Sequence, residues 1–249
     1  MNNIFFKGFT LAEVLITLAI IGIVAAMTIP SIMQKNTEKR TVVKLKKVYA
    51  IWSNAYKLAM AEHGTPDNWF SKPADWGSES GDVLVGVMKD YVKFDKICSK
   101  STGCLKDVKY KHIDNHVGEN WNRVVIVSKF KTADGMSGYI YGYSSTPSVA
   151  HGTGEYTTAY GALTLDINGF NGPNCFGKDT FSFIFTEQGL FPAGSPSASE
   201  TVQFPNDCNI TKCAGMCEVC TAWVIKNENM DYLHCTGLSW DGKHSCSEK

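Results

Sequence analysis

The sequence of 249 residues lacks an excess of either charge. It has 24 lysine and arginine residues against 24 aspartate and glutamate residues, so the chain as a whole does not attract nucleic acid. It also lacks a nucleophile elbow, a dinucleotide-binding fingerprint, internal repeats and low-complexity tracts. These absences argue against several enzyme classes and against nucleic acid as a partner.

Two near-matches to catalytic motifs fail on single residues. Residues 172–179 approach a phosphate-binding loop, but Asp179 stands where Ser or Thr is required. A predicted strand follows this loop, so the helix amino terminus that would hold phosphate is missing. His112 and His116 are four residues apart, yet no glutamate follows His112 as the zinc-protease motif requires. We therefore expect that the protein is not an enzyme.

One apolar run is long enough to cross a membrane. Residues 9–29 (FTLAEVLITLAIIGIVAAMTI) contain a single carboxylate, Glu13. At about 1.5 Å per residue, a helix of this length spans roughly 30 Å, the thickness of a bilayer core. A carboxylate in hydrocarbon is costly and usually has a function. The alternative is that Glu13 only extends to the lipid headgroups at one end of the helix.

Residues 7–30 (KGFTLAEVLITLAIIGIVAAMTIP) closely resemble the amino terminus of type IV prepilins and type II secretion pseudopilins. The resemblance includes the short basic leader, the junction of Gly8 and Phe9, the acid Glu13, the long apolar run and Pro30. An ordinary secretory signal is cut after its apolar segment, whereas this junction precedes it. Cleavage there would leave the apolar helix on the mature chain.

The resemblance implies how the chain is processed and assembled. A prepilin peptidase would cleave between Gly8 and Phe9 on the cytoplasmic side, and the same enzyme would methylate the amine of Phe9. In a filament, Glu13 would neutralise the Phe9 amine of a neighbouring subunit, because two charges in a low dielectric are tolerated only as a pair. The implied partners are other pilin or pseudopilin subunits and an ATP-driven assembly platform in the inner membrane.

Gly22 and Pro30 are further residues that the resemblance connects with assembly. Pro30 cannot donate to the carbonyl of Ala26 and is expected to bend or break the helix. Gly22 weakens the helix further upstream. Related filaments melt this part of the helix on assembly, although an ordinary proline kink is the alternative here.

A helical apolar pattern continues after the membrane-length run. Gly64, Thr65 and Pro66 then supply a stop signal. We therefore predict one long, bent helix over residues 9–63, with a transmembrane half and an amphipathic half. The predicted apolar stripe of the second half consists of Val42, Leu45, Val48, Tyr49, Trp52, Ala55 and Ala59.

The basic residues after the apolar run conflict with this topology. Lys7 alone precedes the run, whereas a basic cluster follows it, and the positive-inside tendency would then place the following part in the cytoplasm. The leader and the cysteines favour a head outside the cytoplasm, and we follow them. Some relatives take up DNA, but the zero net charge disfavours that role for the cluster. The cluster comprises Lys35, Lys39, Arg40, Lys44, Lys46 and Lys47.

The remaining residues 64–249 predict a globular head of α+β class. Segments rich in β-branched and aromatic residues predict consecutive strands, which favour an antiparallel sheet packed on the long helix. This pilin-like plan is also what the resemblance implies. The strands are predicted at 124–130, 138–144, 162–168 and 180–186, with short helices within 80–94 and 220–235. The predicted divisions are a leader at 1–8, a transmembrane or filament-core helix at 9–30, its amphipathic continuation at 31–63, and the head.

The chain has nine cysteines, all beyond the apolar run, which predicts an oxidising exterior. Cys98 and Cys104 are the first expected pair, and an odd total leaves at least one thiol free or bonded between chains. The spacing of Cys208, Cys213, Cys217 and Cys220 also suits a zinc site, although it lacks the paired CxxC spacing of a zinc ribbon. The candidates for the carboxyl-terminal disulfides are Cys175, Cys208, Cys213, Cys217, Cys220, Cys235 and Cys246.

Asp166, Asn168 and Asp179 offer oxygen ligands on one loop, and some pseudopilins bind calcium in a loop of the head. Phe170 stands where an EF-hand loop needs an oxygen ligand, and the distal glutamate is missing. The alternative is a turn held by Asx hydrogen bonds. We expect no cofactor, and calcium at these residues is the alternative that stays open.

Two functional hypotheses remain. The first is a structural subunit of a type IV pilus or a type II secretion pseudopilus, stored in the bacterial cytoplasmic membrane with its head outside and then built into a cell-surface or periplasmic filament. The second is a signal-anchored extracellular binding or adhesion protein that does not polymerise. Only the first requires a carboxylate at Glu13.

Overall fold

The computed structural model describes residues 10–70, 77–143, 159–195, 204–211, 213 and 217–248. The chain divides into two compact units, Met1–Arg40 and Thr41–Lys249. The predicted leader at 1–8, with Gly8, and the predicted first mature residue, Phe9, lie outside the described residues.

The first unit contains the amino-terminal part of helix α1, which extends over Leu11–His63. This part is long and apolar enough to cross a membrane, and none of its apolar span is buried against the described residues. The helix continues through Pro30, so the predicted break is not present there. A Cβ added at Gly22 would have no neighbour within 4 Å among the described residues. An apolar helix this exposed needs lipid or another protein around it.

In the second unit, the rest of α1 packs on a sheet through one apolar stripe. Tyr49 stacks on Phe183 with ring centroids 5.5 Å apart. The hydroxyl of Tyr56, which the predicted stripe did not include, donates to the carbonyl of Thr186 at 2.8 Å. The buried stripe consists of Val42, Leu45, Val48, Trp52, Ala55, Tyr56 and Ala59.

The described residues form one sheet of eight strands. Its order is β1-β3-β4-β5-β7-β6-β2, and β8 also pairs with β7. The α+β class is confirmed, but the sheet is mixed, because β6 pairs in parallel with both β2 and β7. The strands are β1 Phe94–Ser99, β2 Lys111–His112, β3 Ser128–Thr132, β4 Ser137–Gly142, β5 Ala159–Asp166, β6 Cys175–Phe176, β7 Thr180–Thr186 and β8 Gly189–Pro192.

The central strands follow the prediction with one clear error. The predicted strand at 180–186 coincides with β7, and those at 138–144 and 162–168 overlap β4 and β5, although Ser144 lies outside the described residues. The predicted strand at 124–130 is wrong in its first half, because β3 begins at Ser128. Val125 and Ile126 are instead exposed.

Two short helices cover the sheet. Helix α2, Ser78–Met88, contacts β3 and β4, and it ends before the predicted limit at residue 94. Helix α3, Cys220–Asn227, contacts β7 and β8. Its carboxyl-terminal cap, Glu228, has a left-handed backbone conformation, which stops the helix.

Four disulfides join eight of the cysteines. Cys98 and Cys104 are paired as predicted. The zinc interpretation of the carboxyl-terminal cysteines is wrong, because its four cysteines are consumed in two disulfides. Cys175 is buried and free, and burial raises the pKa of its thiol to about 11, which keeps it protonated and unreactive. The remaining disulfides are Cys208–Cys220, Cys213–Cys217 and Cys235–Cys246.

Candidate functional site

Helix α1 begins with a reciprocal pair of hydrogen bonds between Thr10 and Glu13. The Glu13 carboxylate oxygen Oε2 accepts from the backbone N–H and from the hydroxyl of Thr10, both at 2.8 Å. The hydroxyl oxygen of Thr10 in turn accepts from the backbone N–H of Glu13 at 3.2 Å. This is a capping box, which satisfies N–H groups that the first turn of a helix leaves unpaired.

The capping box gives Glu13 a partner inside its own chain. The carboxylate lies at the positive end of the helix dipole, where a negative charge is favoured. The carboxylate is therefore held within the first turn of α1. In the sequence, Glu13 follows Phe9 by four residues. The sequence signal for this contact was Thr-x-x-Glu at residues 10–13, which sequence reasoning overlooked because it considered Glu13 only as a charge.

The predicted calcium residues are brought together at one end of β5. The Asp179 carboxylate accepts from the backbone N–H groups of Asn174 and Cys175 at 2.8 and 2.6 Å, and from the side-chain amide of Asn168 at 3.1 Å. Asp166 accepts from the hydroxyl of Tyr110 at 3.0 Å. The N–H donors around Asp179 are those of a turn held by its own side chains.

The two carboxyl groups of this turn are buried and disfavour each other's charge. Burial, and after it the nearby charge of Asp179, raise the pKa of Asp166 to about 8, against the opposing effect of the hydrogen bond from Tyr110. Burial also raises the pKa of Asp179. The buried side-chain oxygen of Asn168 has no hydrogen-bond partner among the described residues and is therefore free to bind a cation. Calcium at Asp166, Asn168 and Asp179 stays a prediction.

His112 and His116 lie next to each other, with ring centroids 5.5 Å apart. Burial lowers the pKa of His112, whose ring also stacks on Phe176. Asp114, between them, accepts from the backbone N–H groups of His116 and Cys213 at 3.0 Å. A carboxylate oxygen of Asp114 lies within 4.8 Å of two cysteine sulfurs, but those sulfurs are joined as Cys213–Cys217 and so are not thiolate ligands for a metal.

Comparison with known proteins identifies a sequence motif at the amino terminus. Residues 6–29 match the family model described as the prokaryotic N-terminal methylation motif. The chain carries a prepilin signal. No curated protein and no solved structure matches the chain. The match does not extend to the head. Inferences about the head therefore depend on its structure alone.

The prepilin signal marks the chain as a precursor of the type IV pilin-like or pseudopilin kind. It implies processing by a prepilin peptidase and assembly with other pilin subunits, and it points to a structural protein. The apolar first part of α1 fits a membrane-anchored precursor. Glu13 lies inside the matched segment and near the start of the helix.

Replacing Thr10 with alanine tests the capping box. Loss of the hydroxyl is expected to cost about 1 kcal/mol at the start of α1, which corresponds to roughly fivefold faster amide exchange in the first turn. The measurement is hydrogen exchange of the full chain in detergent micelles. Thr17→Ala is the matched control, because the Thr17 hydroxyl donates to the carbonyl of Val14 within the helix. Equal exchange at the helix start in the two variants would contradict the capping role.

Proposed function

We propose that the mature chain begins at Phe9 and polymerises through α1 as a subunit of a type IV pilus or a type II secretion pseudopilus. The observation that carries this proposal is the methylation motif at residues 6–29 on a helix whose apolar span is covered by no other described part of the protein. In the precursor, lipid covers this surface. In a filament, the corresponding helices of neighbouring subunits cover it.

The assembly step exchanges one partner of Glu13 for another. Before assembly, Thr10 holds the carboxylate through two hydrogen bonds. During assembly, Glu13 pairs with the Phe9 amine of a neighbouring subunit, which removes an unpaired positive charge from an apolar environment. The pair also sets the axial register, because a subunit that slides along its neighbour leaves both charges unpaired.

A mechanical role suits the head. Four disulfides cross-link the head, and such cross-links resist unfolding mainly by restricting the unfolded chain. A filament that adheres, retracts or pushes secreted cargo is exposed to force and proteases. The partners in this proposal are the prepilin peptidase, further pilin subunits and the membrane assembly platform.

The experiment is Glu13→Ala in the cells that make the protein, with Glu38→Ala as the control that removes an acid from the same helix outside the motif. We expect the Glu13→Ala variant to insert into the membrane and to be cleaved. We expect it to be absent from the filaments that are sheared from the cells. The mass of the amino-terminal peptide reports cleavage and methylation. Filaments of normal yield from Glu13→Ala, or a wild-type chain that keeps residues 1–8, would overturn the proposal.

A further inference from the structure

The exposed apolar surface of the first unit ends where basic residues begin. Ile29, Ile32 and Met33 are the last large apolar side chains exposed on this part of α1, and Lys35 follows Met33 after one residue. At about 1.5 Å per residue, the rise from Glu13 to Met33 is roughly 30 Å, which equals the thickness of a bilayer core. A bilayer that covers this apolar surface therefore has one boundary next to Lys35.

Three basic residues at this boundary, Lys35, Lys39 and Arg40, are called the boundary cluster below. All three side chains are exposed. By helical rise they lie about 3–11 Å beyond Met33, and the headgroup layer on each side of a bilayer core is roughly 5–8 Å thick. Lysine and arginine side chains also extend their charged ends along apolar stems towards such a layer. The boundary cluster therefore lies at the depth of the phospholipid headgroups.

The positive charges of the boundary cluster are not paired within the described part of the chain. None of the ion pairs between described residues includes a member of the cluster. Glu38 is the one acid between Glu13 and Arg40 in the sequence, and it forms no ion pair with any of the three. Their charge thus stays available to an anionic surface outside the chain.

Depth and charge together select the partner of the boundary cluster. Headgroups surround a membrane-spanning helix at this depth on either side of the membrane, so the contact does not depend on the orientation of the chain. A second copy at the same depth would present the same three positive charges and would be repelled. Phospholipids with a net negative charge, such as phosphatidylglycerol, are attracted instead.

We propose that the boundary cluster binds the headgroups of anionic phospholipids and thereby fixes the depth of α1 in the membrane. This inference goes beyond the proposed function, because it requires a membrane-anchored chain but no filament. With Lys35 at one boundary, Glu13 lies near the other, since the rise between them is about 33 Å. Withdrawal of the helix from the bilayer breaks the lipid contacts, so anionic lipid opposes extraction of the stored chain.

The test counts lipid molecules that bind to the full chain in uncharged detergent micelles, by native mass spectrometry, with phosphatidylglycerol or phosphatidylcholine added. Both lipids contain a phosphate group, but only phosphatidylglycerol has a net charge. We expect the wild type to bind phosphatidylglycerol at least roughly tenfold more tightly than phosphatidylcholine. Raising the salt concentration from about 0.05 M to about 0.5 M should weaken this preference, because salt screens exposed charges.

Two variants of the boundary cluster separate its charge from its shape. The first combines Lys35→Gln, Lys39→Gln and Arg40→Gln, and it is expected to lose most of the preference for phosphatidylglycerol. The second combines Lys35→Arg, Lys39→Arg and Arg40→Lys, which keeps every charge, and it should bind as the wild type does. Loss of the preference in both variants would contradict an electrostatic contact with the headgroups.

The matched control for net charge combines Lys57→Gln, Lys89→Gln and Lys109→Gln. These substitutions remove three exposed positive charges from the second unit, and the preference should remain. A wild type without the preference, or an equal loss in the two glutamine variants, would overturn the lipid site. Binding of a short DNA duplex in place of phosphatidylglycerol would overturn it in favour of a nucleic acid. Absence of filaments would overturn the proposed function alone.

Discussion

Gly81→Ala is expected to destabilise the head by about 2–3 kcal/mol, whereas Gly86→Ala in the same helix is expected to stabilise it by up to about 1 kcal/mol. A Cβ at residue 81 would lie 2.7 Å from the carbonyl oxygen of Ile140 and 3.1 Å from the Cβ of Ser128. Both obstacles belong to the sheet, whose backbone cannot yield locally. A Cβ at residue 86 would meet none of the described residues within 4 Å.

The sheet side of the same contact is equally close. A Cβ at residue 142 would lie 2.3 Å from the Cβ of Ser80, so α2 and β4 touch backbone to backbone. Asp82 fixes this arrangement by accepting from the hydroxyls of Ser99, at 2.6 Å, and Ser128. An added methyl at residue 81 must therefore lift α2 and stretch these bonds.

Denaturant unfolding of the full chain in detergent, followed by tryptophan fluorescence with the disulfides intact, measures both changes. The two substitutions add the same methyl group to the same helix, so helix propensity and the unfolded chain are matched. Only the distance to the sheet differs between them. If the midpoints of the two variants moved in the same direction by similar amounts, the close packing of α2 on β4 would be wrong.

The long helix and β7 could be predicted because each repeats one period over many residues. The helical stripe predicts the contact of α1 with the sheet, and the aromatic run at 180–186 predicts the strand β7, which the structure shows to be buried throughout. The run at 124–127 has the same composition as a buried strand, but Val125 and Ile126 face outward. Nothing local distinguishes an apolar strand from an apolar projection.

Four strands were missed: β8 pairs with the adjacent β7, whereas the other three depend on distant partners. Strands β2 and β6 have two residues each and pair with each other in parallel, a contact between segments far apart in sequence. Strand β1 has charged residues and two register shifts, which removes the alternation that marks a strand. Long-range pairing, which no local pattern encodes, decides all three.

The residues of the candidate site also divide into those with a local sequence signal and those without one. The predicted cleavage junction and Glu13 lie in a contiguous motif, and the capping box of Thr10 and Glu13 was also readable from residues 10–13. The disulfide Cys98–Cys104 closes a short loop and could be predicted. The other pairs could not, because seven cysteines crowd one region and tertiary distances choose among them. The free state of Cys175 has no local signal.

Asp166→Asn is expected to remove most of a pH dependence in the stability of the head. Asp166 is 1% exposed, and burial together with the charge of Asp179 raises its pKa from 3.8 to about 8. The folded state therefore keeps a proton that the unfolded state releases above pH 3.8. Stability from this group is complete below that pH and is lost as the pH rises through about 8. The loss amounts to roughly 2–5 kcal/mol.

The asparagine removes the ionisation and keeps the contact with Tyr110, whose hydroxyl can either donate to or accept from an amide. We expect the free energy of unfolding of Asp166→Asn to change much less between pH 5 and pH 8.5 than that of the wild type. The remaining change comes from Asp179, whose pKa is also raised.

Asp107→Asn is the matched control for loss of a carboxylate. Asp107 is exposed, and hydrogen bonds from Arg123 and Asn120 hold its pKa below the usual range. It therefore stays ionised throughout the interval from pH 5 to pH 8.5, and its removal should leave the slope of stability against pH unchanged there. Denaturant unfolding at the two pH values gives these slopes. If the slopes of Asp166→Asn and wild type were equal, then Asp166 is ionised in the folded head, and the charge repulsion with Asp179 is relieved by a ligand or by water.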